Sequence, residues 1–270
     1  MVLASTLEVV IRSDVGRVRT HNEDAVYANP ALGLAILADG MGGYNAGEVA
    51  STMVTTLLGA GLEQSFAASV GQLTTQVAKG LLEAEIARVN SAIYAAAQDQ
   101  PQYAGMGTTL VMAMFHGNAM TVAHIGDSRL YRLRGDELQL LTRDHSVLQE
   151  QIDRGVLSRE QARRSQHKNL VTRALGIDPD VTPEINDYGT LPGDIYLLCS
   201  DGLNDLVEDE AIAELLRKQA ADLEKAAVQL VQRANDSGGH DNVSLILVRV
   251  GKCYPSTLRR WLTRLLAGFK

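Results

Sequence analysis

The sequence predicts an α+β fold in which antiparallel sheets carry helices on their outer faces. Three observations lead there. Strand-like segments crowd the stretch from Thr108 to Leu141 and are broken at Gly117-Asn118 and Gly135-Asp136, the spacing of a meander. Helical stretches come as neighbouring pairs, Ala46 to Leu58 with Val70 to Ala97, and Asp209 to Lys218 with Asp222 to Ala234. Strands stand before, between and after those pairs, without the one-for-one alternation that a doubly wound parallel sheet requires.

In chain order, Leu7 to Arg12 reads as a first strand, closed by an Asp14-Val15-Gly16 turn. Ala25 to Ala28 and Leu34 to Ala38 form a strand pair joined through Asn29-Pro30. In the longer helix, Leu73, Val77, Leu81, Ile86, Val89 and Ile93 recur at mostly three- or four-residue steps, and Ser65 to Ser69 separates it from the helix before. Strands follow at Thr108 to Phe115, Ala119 to Ile125, Arg129 to Leu133 and Glu137 to Leu141. Asp144 to Asn169 turns polar and helical between two β regions, so it reads as an inserted surface flap whose arginines suit contact with a protein substrate. Ile195 to Cys199 is a buried strand, the last two helices open on acidic residues suited to their N-termini, and Val243 to Val250 closes the sheets.

The bulk properties exclude several classes. Apolar residues make up 46% of 270 and charged residues 21%, ordinary for a globular chain with a sizeable core. A net charge of −7 argues against nucleic-acid binding. No apolar run reaches the roughly 18 residues of a membrane span. The N-terminal stretch, with Glu8 and Arg12, does not read as a secretory leader, and Cys199 and Cys253 do not make a disulfide framework. A cytoplasmic protein is expected.

The chemistry begins at Asp39. Four apolar residues, Ala35 to Ala38, rise to this carboxylate and break into Gly40-Met41-Gly42-Gly43, where glycines let backbone approach closely. An Asp-Gly turn alone says little. The same grammar recurs, however. Asp127 follows Val122 to Gly126, Asp201 follows Ile195 to Ser200, Asp241-Asn242 precedes Val243 to Val248, and Asn22-Glu23-Asp24 precedes Ala25 to Tyr27. Carboxylates at the mouths of buried strands repel one another once gathered and are costly to desolvate. Cations relieve that cost, and an all-oxygen donor set favours magnesium or manganese over zinc.

With these residues in view, the chain resembles the metal-dependent Ser/Thr protein phosphatases of type 2C, in their bacterial branch. The matching segments are GRVRTHNED at 16–24, ADGMGG at 38–43, GTT at 107–109, HIGDSR at 124–129, TRDH at 142–145, LVTRAL at 170–175, SDGL at 200–203 and GHDN at 239–242. They run in the family's order across nearly the whole chain. The resemblance implies a four-layer α-β-β-α sandwich of two antiparallel sheets flanked by helices, with the flap inserted. It also implies one phosphatase domain over 1–251; the spacing of apolar and basic residues in the tail adds a basic amphipathic helix at 252–270.

For the site, the resemblance implies that Asp39 bridges two ions, that the Gly40 carbonyl binds one of them, and that Asp201 and Asp241 hold the second. Asp127 and Asp205 match the ligands of a weaker third ion, and Glu23 and Asp24 support the first. Arg19 matches the arginine that grips substrate phosphate, a task suited to a guanidinium fork; Arg17 is a competitor that spacing does not separate. Two Mn2+ or Mg2+ ions roughly 3.5–4 Å apart would acidify a bridging water for in-line attack on phosphorus. The expected activity is hydrolysis of phosphoserine and phosphothreonine in proteins, opposing a bacterial Ser/Thr kinase and acting on that kinase and its substrates. Met41 stands where some relatives have a histidine assigned as general acid, leaving a metal-bound water, His145 or His240 for proton delivery.

Two competing readings are weaker. Cys253 and Arg259 have the spacing of cysteine-dependent phosphatases, but Pro255 removes an amide and no glycine permits the phosphate-wrapping loop. A degenerate binding module of the same fold would have lost carboxylates that this chain retains. In the tail, Leu258, Trp261, Leu262, Leu265, Leu266 and Phe269 oppose Arg259, Arg260 and Arg264. That face suits docking on the acidic body, or contact with a partner or a membrane surface.

Overall fold

Two antiparallel sheets lie face to face, and alternate residues of their apolar strands point to different cores. The computed structural model describes residues 7–43, 46–68, 74–158, 161 and 170–251. In the first sheet the strands run in the order β1 (Leu7–Asp14), β11 (Val243–Val250), β10 (Ile195–Cys199), β7 (Arg129–Arg134) and β8 (Glu137–Leu140). In the second the order is β2 (Asp24–Asn29), β3 (Leu34–Met41), β5 (Leu110–His116), β6 (Ala119–Ile125) and β9 (Glu184–Gly189), with the two-residue β4 (Gly107–Thr108) on the end of β3. Every pairing is antiparallel.

The strand β3 shows why its sequence has no polar face. Ala35 and Leu37 pack into the layer between the sheets with Val111, Val122, Leu198 and Ile246. Leu34, Ile36 and Ala38 point the other way, against α1 (Ala46–Ala68) and α2 (Thr75–Asp99). On the first sheet, Tyr131, Leu197, Leu245 and Leu247 meet α5 (Asp209–Lys218) and α6 (Leu223–Asp236). Strands covered on both faces read as continuous apolar runs, and the result is the expected α-β-β-α order of layers.

Local chemistry sets several boundaries differently from the periodicity. The first helix extends to Ala68, through Ser65, so the expected break at Ser65 to Ser69 is not where it ends. The second helix begins after Thr74, whose hydroxyl accepts the Val77 N–H at 3.4 Å, and it runs on to Asp99. Asp222 is likewise an N-cap, not a helical residue, accepting from the Lys225 N–H at 3.0 Å. The strand read from Thr108 to Phe115 is divided at Thr109 into β4 and β5. Of the flap, Ser146 caps a short α3 (Val147–Asp153); Arg159, Arg163 and Arg164 lie outside the described residues. So does everything from Lys252 onward, including Cys253 and the basic amphipathic stretch.

Candidate metal centre

Strand polarity brings the acidic residues to one end of the sandwich. β2 and β11 begin there, and β3, β6 and β10 end there. Asp24 and Asp39 are direct partners across the β2–β3 pair. Asp127 sits on the turn that carries the chain from β6 in one sheet to β7 in the other. Asp201 opens α4 (Asp201–Asn204) straight after β10, and Asp205 follows one turn later, its N–H bonded to the Asp201 carbonyl at 2.8 Å. Asp241 precedes β11. The four strand-end positions read from the sequence, and Glu23-Asp24 with them, therefore share one rim.

The backbone around Asp39 is held on both sides. Its N–H donates to Thr109 Oγ1 at 3.0 Å, while its carbonyl accepts from the Thr109 N–H and the Thr108 hydroxyl, both at 2.8 Å. Thr109 Oγ1 is also 2.7 Å from Ser128 Oγ, which joins the Asp39 strand end to the Asp127 turn. Across the sheets, Ser200 Oγ donates to Asp24 Oδ2 at 2.8 Å and accepts from the Ser244 N–H at 3.0 Å. Asn242 is a third tie: its Oδ1 accepts the Glu23 N–H at 2.8 Å, and its Nδ2 donates to the Val15 and His21 carbonyls. Thr108, Thr109, Ser128, Ser200 and Asn242 all stand within sequence segments already singled out; which distant groups they bond is visible only once the sheets are assembled.

Two glycines permit close approach of backbone. A Cβ on Gly40 would lie 2.1 Å from the Gly47 carbonyl oxygen and 2.7 Å from that of Glu23. One on Gly202 would lie 2.0 Å from the Asn242 carbonyl oxygen. Both contacts are with backbone, which cannot swing aside.

Electrostatics follow from this crowding. Burial raises the Asp39 pKa well above the carboxylate range, and the charges of Asp24, Asp201, Asp127 and Asp241 raise it further. Asp201 is raised in the same way, by burial and then by Asp127, Asp205 and Asp241. Burial carries Asp24 to about 6 and Asp127 to about 7, the latter helped by Asp144. Glu23 Oε1 and Asp24 Oδ1 are buried without a hydrogen-bond partner. Unpartnered buried carboxylate oxygens among mutually repelling acids are what a hard divalent cation satisfies. The donor set therefore fits magnesium or manganese.

The two arginines separate in space. Arg19 Nη2 reaches Asp241 Oδ2 at 2.8 Å on the exposed rim. Arg17 instead lies against Gly239, donating its N–H to that carbonyl at 2.8 Å. Of the two histidines considered for proton delivery, His240 is exposed and His145 is 5% exposed, with ring Nδ1 engaged by the Gly126 N–H at 3.2 Å. That engagement leaves His145 Nδ1 with no proton to give.

The protein phosphatase 2C family profile matches residues 16–234. The chain is 41% identical over 244 residues to the serine/threonine protein phosphatase PstP of Mycobacterium tuberculosis, a match covering 90% of this chain and 45% of that protein. It is 38% identical over 240 residues to the serine/threonine phosphatase stp of Listeria innocua, covering 88% and 93%. The chain thus spans about half the length of the mycobacterial relative and nearly all of the listerial one. Among solved structures, the catalytic domain of PstP in complex with two manganese ions superposes with a TM-score of 0.80 at 40% identity, covering 92% of this chain and 99% of that one. Stp1 from Staphylococcus aureus gives 0.83 at 34%, covering 93% and 98%. The chain belongs to the protein phosphatase 2C family and shares its fold with the manganese-bound catalytic domain of PstP.

Proposed function

We propose that this chain is a metal-dependent protein phosphatase that hydrolyses phosphoserine and phosphothreonine in proteins. The observation that carries the reading is the convergence of Glu23, Asp24, Asp39, Asp127, Asp201 and Asp241 on one rim, with two buried carboxylate oxygens left unpartnered. Family membership and the manganese in a relative of the same fold support it.

Asp39, the Gly40 carbonyl, Asp201 and Asp241 would hold two core ions, Glu23 and Asp24 would support the first, and Asp127 and Asp205 would hold a weaker third. Bound ions supply an activated water and neutralise phosphoryl charge. The protein's own work is positional. Thr108 and Thr109 fix Asp39, Ser200 and Asn242 lock the two sheets together beneath the site, and Arg19 presents a cation at the rim for substrate phosphate, exchanging its Asp241 partner for it. No Cys or Ser nucleophile is needed. The substrates are phosphorylated proteins, among them a Ser/Thr kinase and that kinase's targets, and the enzyme works in the cytoplasm. The catalytic domain ends near residue 251. The flap between 144 and 169 contacts the protein substrate, and the basic segment 252–270 contacts the acidic body, a partner or a membrane surface.

The test is phosphate release from a phosphothreonine peptide with and without Mn2+, for the parent and for Asp39→Asn. Release that needs Mn2+ and vanishes in the variant supports the reading. Release that persists in chelator, or in Asp39→Asn at the parental rate, refutes it.

A further inference from the structure

Next to the metal centre, His124, His145 and Glu184 bring one ligand-type atom each within 4.8 Å of one another. The hydrogen bonds decide what this cluster does. The Gly126 N–H points at His145 Nδ1, 3.2 Å away, so that nitrogen must carry the lone pair. In a neutral ring the proton is then on Nε2, which faces Glu184 Oε2 at 3.6 Å. Ligation of a metal through Nε2 would require an imidazolate. The cluster is therefore a poor zinc site, although His145 Nε2 is buried with no closer partner.

The ring is also immobilised. It stacks on His124 with centroids 4.8 Å apart and planes 16° from parallel, and His124 Nε2 donates to the Arg143 carbonyl at 2.9 Å. Burial, with His124 and Arg173 nearby, holds the His145 pKa down at about 4. Its own backbone N–H donates to the Gly126 carbonyl at 2.9 Å. One residue thus grips both polar groups of Gly126, whose φ of +101° and contact with Thr109, 2.7 Å from a would-be Cβ, admit no side chain. The residue after Gly126 is Asp127. On the same segment, Asp144 pairs with Arg129 at 2.7 Å, and the His145 carbonyl accepts the Thr172 N–H at 2.8 Å.

We propose that His145 is a positioning residue: its neutral ring, unprotonated at Nδ1, clasps Gly126 and so aims the Asp127 carboxylate into the metal centre from the base of the flap. The assignment rests on the reading of Asp127 as an ion ligand.

The contrast of His145→Asn with His145→Gln tests it. Asn places an acceptor oxygen where Nδ1 stood; Gln of similar chemistry places it one bond farther out. Mn2+ binding by calorimetry and the Mn2+ concentration for half-maximal phosphate release should stay near parental values in His145→Asn. In His145→Gln they should weaken by roughly tenfold to a hundredfold, as for other residues that orient metal ligands, and excess Mn2+ should restore turnover. Equal loss in both variants, or in neither, overturns the proposal. A second measurement needs no metal: imidazole 15N resonances of the metal-free protein should show His145 unprotonated at Nδ1 and protonated at Nε2. The opposite tautomer, or Zn2+ ligation at both histidine rings, overturns it. Should Asp127→Asn leave the Mn2+ requirement unchanged, the ligand reading of Asp127 fails on its own account, while the spectra still judge the clasp.

Discussion

Asp24 and Asp39 face each other across a register-paired position of two neighbouring strands, at the one end of the sandwich where four further carboxylates arrive. Like charges directly opposite on a sheet are destabilising, and here burial adds to the cost. The folded chain without ions therefore carries a penalty that a divalent cation removes, which couples stability to metal and to pH.

Asp39→Asn should separate stability from activity. The amide keeps the size of the side chain and removes one of the repelling charges. In metal-free protein at pH 8, the variant should be more stable than the parent by about 1–3 kcal/mol, read from the denaturant midpoint. In Mn2+ its phosphatase activity should fall by more than about a hundredfold. A variant less stable than the parent without metal would show that the charge is already satisfied by protein groups.

The pH dependence has an unusual sign for carboxylates. Asp24, Asp127, Asp39 and Asp201 all have folded-state values raised above the ordinary 3.8. Between the unfolded and folded values the native state holds more protons than the unfolded one, so stability falls as pH rises. Metal-free protein should lose melting temperature from about pH 4 toward pH 7, the window set by Asp24 at about 6 and Asp127 at about 7. Saturating Mn2+ should flatten that slope at its upper end. A metal-free melting temperature that climbs across this window would contradict the crowding.

Thr109→Val should cost about 1–3 kcal/mol, because it leaves the Asp39 N–H without its 3.0 Å acceptor and breaks the link to Ser128. Thr109→Ser retains the hydroxyl and should recover most of the loss. Urea midpoints at unchanged slope provide the measurement.

Glycine substitutions should differ sharply by site. Gly40→Ala drives a methyl into the Gly47 and Glu23 carbonyls and should cost about 3 kcal/mol or more. Gly80→Ala, in an exposed turn of α2 with nothing within 4 Å, should stabilise by roughly 0.5–1 kcal/mol. Melting temperatures that move in the same direction for both would refute the steric argument.

The sequence by itself determined that antiparallel sheets carry helices outside, where most strands lie and which carboxylates stand at strand ends, because apolar runs and turn residues are local signals and carboxylates after buried strands stand out against them. It left Arg17 and Arg19 unresolved; their separation depends on Gly239 and Asp241, more than 200 positions away. It placed a helix break at Ser65 to Ser69, where α1 continues to Ala68, since serine only weakly disfavours a helix that buries a face against α2 and β3. Tertiary structure alone decided how the site is braced. Ser200 on Asp24, Thr109 between Asp39 and Ser128, and His145 on Gly126 are contacts between segments remote in sequence. Nothing in a hydroxyl's or an imidazole's own neighbourhood along the chain says which distant backbone group it will meet. Two sheets closing on each other supply that information.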